Sequence, residues 1–290
     1  MARPACKAGP RGHDAAMASI ATARGRIGFD EAGASGSGPS PRRSDPAAGE
    51  ALPILFLHGV GSDKSVWAPQ VVHFGRSRRA LAFDYPGYGE SDFAEGATRD
   101  DFAAAILAAM DALGVGRAHV CGLSLGGVVA IAMHAAAPQR CASLIIADSF
   151  AAHPDGQGIY DRSVAASQTM TMHEFAEARS GVLLGSAATP GLRAEVIATM
   201  AAIDPGAFRL GVEAVWLADQ RGLAATVDVP TLILVGDEDS ITPPALSEEL
   251  ARLISGSRLE LIAEAGHLAN AEQPQAFNMA IESFLSELDK

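Results

Sequence analysis

The stretch Gly122-Leu123-Ser124-Leu125-Gly126-Gly127 decides how the rest of the sequence is interpreted. It contains the pattern Gly-x-Ser-x-Gly between an apolar run that predicts a strand and an alanine-rich run that predicts a helix. This strand–turn–helix setting is the one that a nucleophile elbow requires. The serine of such an elbow has strained backbone angles, so the residues two positions away have to be small. Gly122 and Gly126 meet that requirement, and Ser124 is therefore predicted to be a nucleophile.

Around this turn, from residue 51 onward, short apolar runs alternate with alanine-rich runs of helical pattern. The alternation predicts an α/β fold, in which a mostly parallel twisted sheet is covered by helices on both faces. The predicted strands are Ile54–Leu57, Ala80–Phe83, Ala118–Cys121, Ser143–Ala147, Thr231–Val235 and Leu259–Ile262. The predicted helices are Phe102–Leu113 behind a capping box at Thr98-Arg99-Asp100-Asp101, then Leu125–Ala137, and a last helix from Pro274 to Leu288.

The N-terminal part of the chain differs in composition from the alternating part. Residues 1–16 are basic and lack an apolar core, and we predict that they form a disordered leader. Ser19–Ala23 and Arg26–Glu31 predict a two-stranded hairpin turned by Gly25. The stretch Gly33–Gly49, which is rich in glycine, serine and proline, predicts an exposed loop.

Residues 151–225 interrupt the alternation of strands and helices, because their pattern is helical throughout. We predict that they form a helical cap inserted into a single catalytic domain. That domain comprises residues 17–150 and 226–290.

Composition restricts the possible partners and location. The chain of 290 residues carries 22 Lys and Arg against 34 Asp and Glu, a formal net charge of −12. This sign opposes binding to phosphates, so no nucleic-acid partner is expected. No apolar run approaches the ~20 residues that cross a bilayer, and no secretory signal is evident. We therefore expect a cytoplasmic protein without a membrane partner. Cys6, Cys121 and Cys141 show no C-x-x-C spacing, so we expect free thiols and no metal site.

A nucleophilic serine needs donors for the negative charge that develops on a carbonyl oxygen. His58-Gly59-Val60-Gly61 follows the strand Ile54–Leu57, and the backbone N–H of Val60 is the predicted donor. The N–H of Leu125 is the second, since it opens the helix that follows the elbow. The side chain of His58 is interpreted as a hydrogen-bonded scaffold group.

The serine also needs a base, and His267 is the predicted one among eight histidines. It follows the strand Leu259–Ile262 in a loop before the last helix, where its imidazole can reach the elbow. The orienting acid should follow another strand. Asp239 is the first candidate, in the loop after Thr231–Val235, and Asp148 is the second.

We interpret Asp237 and Glu238, which share the loop of Asp239, as charges that solvate this loop. The chain order Ser124, Asp239, His267 is the order of serine, acid and histidine in nucleophile-elbow enzymes.

These residues together resemble the α/β-hydrolase fold family over residues 17–290. Asp84-Tyr85-Pro86-Gly87-Tyr88-Gly89-Glu90-Ser91 resembles the turn after that family's fourth strand, and Gly266-His267 resembles its histidine loop. A closer likeness is to the 3-oxoadipate enol-lactonase and carboxylesterase group. It rests on Gly61-Ser62-Asp63, on the elbow and on His267-Leu268-Ala269-Asn270-Ala271-Glu272-Gln273-Pro274.

The resemblance implies a serine hydrolase that cleaves a carboxylic ester or lactone through an acyl-enzyme, without a metal or organic cofactor. Hydrolysis of a carbon–carbon bond in ring-cleavage products and cofactor-free perhydrolysis use the same triad and stay open as alternatives. A non-catalytic binding protein of the same fold is a third reading, against which the complete triad argues.

The cap is expected to supply the apolar wall of the substrate pocket. The candidate pocket residues, each of which is equally compatible with the cap's own core, are Met170, Met172, His173, Phe175 and Trp216. Because the cap contains no basic cluster, we expect a neutral, moderately apolar small-molecule substrate.

Overall fold

A twisted, mostly parallel sheet lies at the centre of the fold. The computed structural model describes residues 18–33 and 51–289, and within them the sheet has eight strands. They are β1 (Ala18–Thr22), β2 (Gly25–Ala32), β3 (Ile54–Leu57), β4 (Ala80–Phe83), β5 (Ala118–Leu123), β6 (Cys141–Ala147), β7 (Thr231–Gly236) and β8 (Arg258–Ile262). Their spatial order is β1-β2-β4-β3-β5-β6-β7-β8. Only the pairs β1–β2 and β2–β4 are antiparallel among these strands, so the predicted α/β architecture is confirmed.

Helices cover the sheet, and every residue of β3 to β7 is buried. The helices are α1 (Ala68–Phe74), α2 (Arg99–Ala112), α3 (Leu125–Ala136), α4 (Gly156–Thr169), α5 (Met172–Leu183), α6 (Pro190–Ala201), α7 (Pro205–Trp216), α8 (Arg221–Ala224), α9 (Pro244–Leu253), α10 (Ala269–Glu272) and α11 (Pro274–Leu288). The capping box predicted before α2 is confirmed, because Thr98 and Asp101 exchange hydrogen bonds between side chain and backbone.

The structure refines several predicted boundaries. β5 continues to Leu123 because it pairs on both sides, with β3 up to Gly122 and with β6 up to Leu123. β6 begins at Cys141 rather than at Ser143. Helices α1 and α9 were not predicted, although Pro244 at the first position of α9 is a typical helix start.

The N-terminal hairpin, β1 and β2, is confirmed and is turned at Gly25, which has φ +97°. The predicted leader, residues 1–16, lies outside the described residues, as does nearly all of the predicted loop Gly33–Gly49. Cys121 and Cys141 are buried free thiols, whereas Cys6 lies outside the described residues.

The order of the strands reverses beside β3. The chain passes from β3 to β4 on one side and then continues with β5 on the other side of β3. At such a point the loops after the two neighbouring strands separate and leave a crevice at their carboxyl ends. The loop that begins at His58 and the turn at Ser124 therefore lie on either side of one crevice.

Five helices, α4 to α8, lie between β6 and β7 over residues 156–224, and we refer to them as the helical insertion. In it α5 packs on α6 and α4 packs on α7. The rings of Phe175 and Phe208 meet edge to face at 5.0 Å between centroids and join α5 to α7. No helix in the described part of the chain is long and apolar enough to cross a membrane.

Aromatic side chains join α11 to the turn that follows β3. The ring of Trp67 lies 5.0 Å from that of Phe56 in β3 and 6.0 Å from that of Phe277 in α11. All three side chains are fully buried. This cluster holds the last helix, and with it the loop that precedes it, against the sheet.

We expect Phe277→Ala to lower the free energy of unfolding by about 3–5 kcal/mol, because it removes a buried ring and leaves a cavity beside Trp67. Urea denaturation followed by circular dichroism measures this change. Met279→Ala is the matched control on the same helix, since Met279 is 67% exposed. Equal effects of the two substitutions would contradict the assignment of Phe277 to the core.

Candidate active site

The carboxyl ends of three parallel strands carry the predicted functional residues. Ser124 directly follows β5, Asp239 lies in the loop after β7, and His267 lies in the loop after β8. Because these ends share one edge of the sheet, side chains that are far apart in sequence come together. Ser124 and His267 line the same cavity, and His267 is bonded to Asp239.

The backbone of Ser124 is strained, with φ +54° and ψ −113°. A positive φ is costly for any residue other than glycine, by about 1–3 kcal/mol. The turn is held by two hydrogen bonds: the Ser124 N–H donates to the Ala147 carbonyl at 2.9 Å, and the Ser149 hydroxyl donates to the Ser124 carbonyl at 2.7 Å. The Ser124 hydroxyl is buried and has no hydrogen-bond partner among residues 18–33 and 51–289.

Close contacts between backbones explain the glycines around this turn. A Cβ atom on Gly122 would lie 2.1 Å from the carbonyl oxygen of Gly126. One on Gly126 would lie 2.0 Å from the carbonyl oxygen of Leu57, at the end of β3. The sharp turn thus brings β5, α3 and β3 into contact at a distance that any larger residue prevents.

The carboxylate of Asp239 is fully occupied by donors. Its Oδ2 accepts from Nδ1 of His267 at 2.9 Å and from the hydroxyl of Thr242 at 2.6 Å. Its Oδ1 accepts from the backbone N–H groups of Ile241 and Thr242 at 2.8 and 3.0 Å. Since the His267 Nδ1–H donates to the acid, Nε2 of a neutral ring is left as an acceptor.

These contacts keep Asp239 ionised. Burial by itself would raise the pKa of its carboxyl group. The positive charge that His267 carries when it is protonated, together with the hydrogen bonds from His267 and Thr242, outweighs burial and lowers the pKa of Asp239 to about 2.

Asp148, the second candidate acid, lies at the end of β6 with φ +47°. Its Oδ1 accepts from the backbone N–H of Gly236 at 2.8 Å, which joins the ends of β6 and β7. Burial, and secondly the Asp239 carboxylate, raise the pKa of Asp148 well above its usual range. This environment favours a protonated carboxyl group. Nδ1 of His267 is hydrogen-bonded to Asp239 and not to Asp148.

The two predicted oxyanion donors lie beside Ser124. Val60 lines the cavity that contains Ser124 and His267, and a Cβ atom on the preceding Gly59 would be 3.3 Å from the Ser124 Cβ. Leu125 is the first residue of α3, so its N–H has no acceptor within the helix.

The side chain of His58 packs beneath this loop. It is fully buried, and its ring lies 4.5 Å from that of Tyr85 and 5.0 Å from that of Tyr88. Its Nδ1 donates to the Gly59 carbonyl at 2.9 Å, and burial lowers the pKa of His58. The neutral ring therefore supports the loop, as expected from the sequence.

The cavity over Ser124 is small and largely apolar. Its volume is ≈ 20 Å³, which is room for roughly one water molecule. It is lined by Val60, Ser124, Ser163, Phe175, Arg179, Leu183, Met200, Phe208, Val212, Trp216, Ile241 and His267. Most of these residues belong to the helical insertion.

Two of the five predicted pocket residues, Phe175 and Trp216, line this cavity, and three do not. Met170 and His173 are exposed, and Met172 packs partly buried against the core. These three residues lie at the junction of α4 and α5, where the chain turns. This placement corrects the expectation from the sequence, which could not locate that junction.

Arg179 also lines the cavity, and it was not among the predicted pocket residues. Phe175, Arg179 and Leu183 recur every four residues in α5, which places them on one face of the helix. That spacing was the available signal, and it places a cation among apolar pocket residues.

A model of the Alpha/beta hydrolase family matches residues 54–280. The chain belongs to the alpha/beta hydrolase family. It is 28% identical over 237 residues to 3-oxoadipate enol-lactonase 1 of Acinetobacter baylyi, a match that covers 81% of this chain and 89% of the relative.

Two further similarities extend over most of this hydrolase. Pimeloyl-acyl-carrier-protein methyl ester esterase of Neisseria meningitidis is 28% identical over 241 residues, covering 80% of this chain and 76% of the relative. The crystal structure of the enol-lactonase from Burkholderia xenovorans superimposes with a TM-score of 0.83 at 26% identity, covering 93% of this chain and 100% of that chain.

In this hydrolase the helical insertion is bonded directly to the histidine loop. The backbone N–H of His267 donates to the carbonyl of Leu183, the last residue of α5, at 2.8 Å. Glu272 accepts from the N–H of Gly185 at 2.7 Å and from the N–H of Gly266 at 3.0 Å. One carboxyl group therefore joins the insertion to the loop that holds His267.

The loop that holds Asp239 has a similar connection. Glu238 accepts from the N–H of Ser186 at 2.6 Å and from its hydroxyl at 2.7 Å, and the Ser240 hydroxyl donates to the Val182 carbonyl at 3.2 Å. The interpretation of Glu238 as a charge that only solvates its loop is therefore corrected. Its partner, Ser186, is distant in sequence, and no local pattern indicated the pair.

We expect Gly122→Ala to destabilise the hydrolase by about 1–3 kcal/mol or more, because the new methyl group meets a backbone carbonyl that cannot move independently. Thermal denaturation measures the change. Gly181→Ala is the control, since a Cβ atom there meets nothing within 4 Å in the described structure. A Gly122→Ala protein as stable as the control would show that the turn is not closely packed.

The pKa of Asp239 predicts a pH-dependent contribution to stability. A folded pKa of about 2 lies below the ~3.9 of an unfolded aspartate, so ionised Asp239 stabilises the fold by about 2–3 kcal/mol above pH 4. This contribution is lost as the pH falls from about 4 to about 2. Asp239→Asn should therefore lower stability at pH 7, and its difference from the unmodified protein should shrink below pH 4.

Urea denaturation at a series of pH values measures this difference. Asp237→Asn is the control, because Asp237 is exposed in the same loop. A difference between Asp239→Asn and the unmodified protein that is the same at pH 7 and pH 3 would contradict the electrostatic origin.

Proposed function

We propose that this protein is a serine hydrolase that cleaves a carboxylic ester or lactone of a small substrate through an acyl-enzyme. Ser124 is the nucleophile, His267 the general base and Asp239 the acid that orients it. The observation that carries the proposal is the hydrogen bond between Nδ1 of His267 and Asp239. His267 lines one cavity with Ser124, whose buried hydroxyl has no hydrogen-bond partner in the described part of the chain.

The first half of the reaction forms the acyl-enzyme. The Ser124 hydroxyl adds to the substrate carbonyl carbon while its proton passes to Nε2 of His267. The negative charge that develops on the carbonyl oxygen is stabilised by the N–H groups of Val60 and Leu125. When the tetrahedral intermediate collapses, the carbon–oxygen bond to the leaving alcohol breaks, and the alcohol takes the proton from His267.

The second half regenerates the enzyme. A water molecule gives its proton to Nε2 of His267 and adds to the acyl carbon, which forms a second tetrahedral intermediate at the same oxyanion donors. The bond to the Ser124 oxygen then breaks, and Ser124 recovers its proton from His267. Asp239 keeps Nδ1 of His267 protonated throughout, so Nε2 is available to the substrate. These steps balance with water as the sole co-reactant.

Relatives with the names of an enol-lactonase and a methyl ester esterase support ester or lactone hydrolysis in general. We further propose that the helical insertion acts as a cap on a catalytic domain of residues 17–150 and 226–290. Because the cavity holds about one water molecule, a substrate has to displace side chains of this cap. Met200 is suited to such movement, since its side chain is flexible and lines the cavity.

A fluorophosphonate probe should label Ser124 covalently, and Ser124→Ala should abolish labelling and lower kcat on p-nitrophenyl acetate or γ-butyrolactone by about 10⁴- to 10⁶-fold. Mass spectrometry of the digested protein locates the label. Ser143→Ala is the control, because the Ser143 hydroxyl is buried and bonded to His119, away from the cavity. Labelling that survives in Ser124→Ala would overturn the proposal.

Substitution of the two candidate acids separates their roles. Asp239→Asn should lower kcat by about 10⁴-fold, because it removes the group that fixes the histidine tautomer. Asp148→Asn should cause a much smaller loss, since a neutral amide replaces a carboxyl group whose environment favours the neutral form. Steady-state kinetics measures both. If Asp148→Asn were the more damaging change, the acid would be Asp148.

A substrate panel tests the bond that is cleaved. We expect turnover of p-nitrophenyl esters or lactones and none of dienoic keto acids derived from ring cleavage. Turnover of the keto acids alone would replace ester hydrolysis with carbon–carbon bond hydrolysis.

A further inference from the structure

The cavity over Ser124 contains an arginine in an otherwise apolar wall. Apart from Ser124 and His267, its polar side chains are Ser163 in α4 and Arg179 in α5. Both are contributed by the helical insertion, and the rest of the lining is aliphatic or aromatic. A guanidinium group presents several donors in one plane and no acceptor.

The charge of Arg179 has no counter-ion in the described structure. Elsewhere in the insertion, Arg162 is paired with Asp155 at 2.6 Å, and Arg193 donates to the Ser180 hydroxyl at 3.2 Å. For Arg179, no acceptor and no carboxylate is found among residues 18–33 and 51–289. The cavity thus holds one cation whose charge the surrounding protein leaves unbalanced.

Burial of this group is unfavourable without a partner. Arg179 is partly buried, and desolvation lowers the pKa of its guanidinium. An arginine nonetheless stays protonated near neutral pH. A positive charge in an apolar wall next to a reactive serine is compensated when an anion enters the same cavity.

We infer that Arg179 binds a carboxylate of the substrate, so that the hydrolase acts on esters or lactones that carry one free carboxylate. The inference rests on the proposed function. A carboxylate matches the planar donors of a guanidinium with two parallel hydrogen bonds. Ser163 is positioned in the same lining to add a third donor.

A single carboxylate fits this cavity better than a phosphate monoester does. Arg179 supplies one positive charge, and Ser163 is neutral, so the second charge of a phosphate would stay unbalanced in apolar surroundings. The sequence had favoured a neutral substrate because the cap lacks a basic cluster. A single arginine balances the charge of a single carboxylate, and no acidic side chain is among the described residues that line the cavity.

The same arrangement favours release of the product. Hydrolysis converts the ester into a second carboxylic acid, whose proton is lost at neutral pH. For a lactone, or for an ester whose free carboxylate belongs to the acyl part, the product then carries two negative charges, while Arg179 balances only one of them. The uncompensated charge is repelled from the apolar cavity, so product leaves more readily than substrate.

Two substrates that differ by one negative charge and one methyl group test the inference. One is the mono-p-nitrophenyl ester of glutaric acid, which carries a free carboxylate, and the other is methyl p-nitrophenyl glutarate, in which that carboxylate is masked as an ester. The measured quantity is the ratio of kcat/KM for the first to kcat/KM for the second. We expect this ratio to exceed 10 for the unmodified protein.

Substitutions assign the preference to one side chain. Arg179→Met should lower the ratio by about 10- to 100-fold, mainly through KM of the acidic substrate, since it removes a charged hydrogen bond and keeps an unbranched, flexible side chain at this position. Arg179→Lys should restore part of the ratio. Arg193→Met is the matched control, because Arg193 is in the insertion but does not line the cavity.

The outcomes are distinct. A ratio near or below one in the unmodified protein, or the same ratio in Arg179→Met, overturns the role of Arg179. A lower rate on both substrates by the same factor would show that Arg179 only supports the fold. A strong preference for a phosphorylated ester over the carboxylate would overturn the assignment of the anion.

Fluorophosphonate labelling of Ser124 separates this test from that of the proposed function. If labelling and turnover of the masked ester persist while the ratio does not depend on Arg179, only the inference about the carboxylate fails. If labelling and turnover of both substrates are absent from the unmodified protein, the proposed function itself fails.

Discussion

The backbone of Ser124 stands at a positive φ, and the rest of the candidate site depends on how that conformation is held. The turn between β5 and α3 closes only because Gly122 and Gly126 let three backbone segments approach to a distance that excludes a Cβ atom. Hydrogen bonds from Ser149 and to Ala147 offset part of the strain. The consequence is a hydroxyl group raised into the crevice, beside the N–H that opens α3.

The remaining parts of the site are arranged around this turn by buried charge. Asp239 is ionised because every lone pair faces a donor, whereas the more deeply enclosed Asp148 is held in surroundings that favour its protonated form. Glu272 and Glu238 connect the same two loops to the helical insertion through backbone N–H groups. The insertion is therefore connected by hydrogen bonds to the loops that hold Asp239 and His267.

Local sequence patterns were sufficient to predict the sheet and to single out the main residues that are proposed to act in the reaction. The spacing of glycines around Ser124, the apolar runs and the histidine after the last strand all depend on near neighbours in the chain. Short helices such as α1 and α9 escaped prediction, because seven to ten residues give a weak periodic signal. The residues that line the pocket were harder to predict from the sequence. Phe175 and Trp216 line it, while Met170, Met172 and His173 do not. The turn between α4 and α5 decides which side chains face inward, and the sequence pattern does not locate that turn.

The amino-acid sequence by itself determined the strand–turn–helix around Ser124, the mostly parallel sheet and the order of serine, acid and histidine along the chain. These features follow from local sterics and from the alternation of apolar and helical segments. Only the tertiary structure decided that His267 is bonded to Asp239 rather than to Asp148. It also decided that Arg179, which has no counter-ion among the residues that the structure describes, lines the cavity of Ser124. Such relations join residues that are far apart in sequence, and burial, which sets the ionisation of each acid, exists only after the chain has folded.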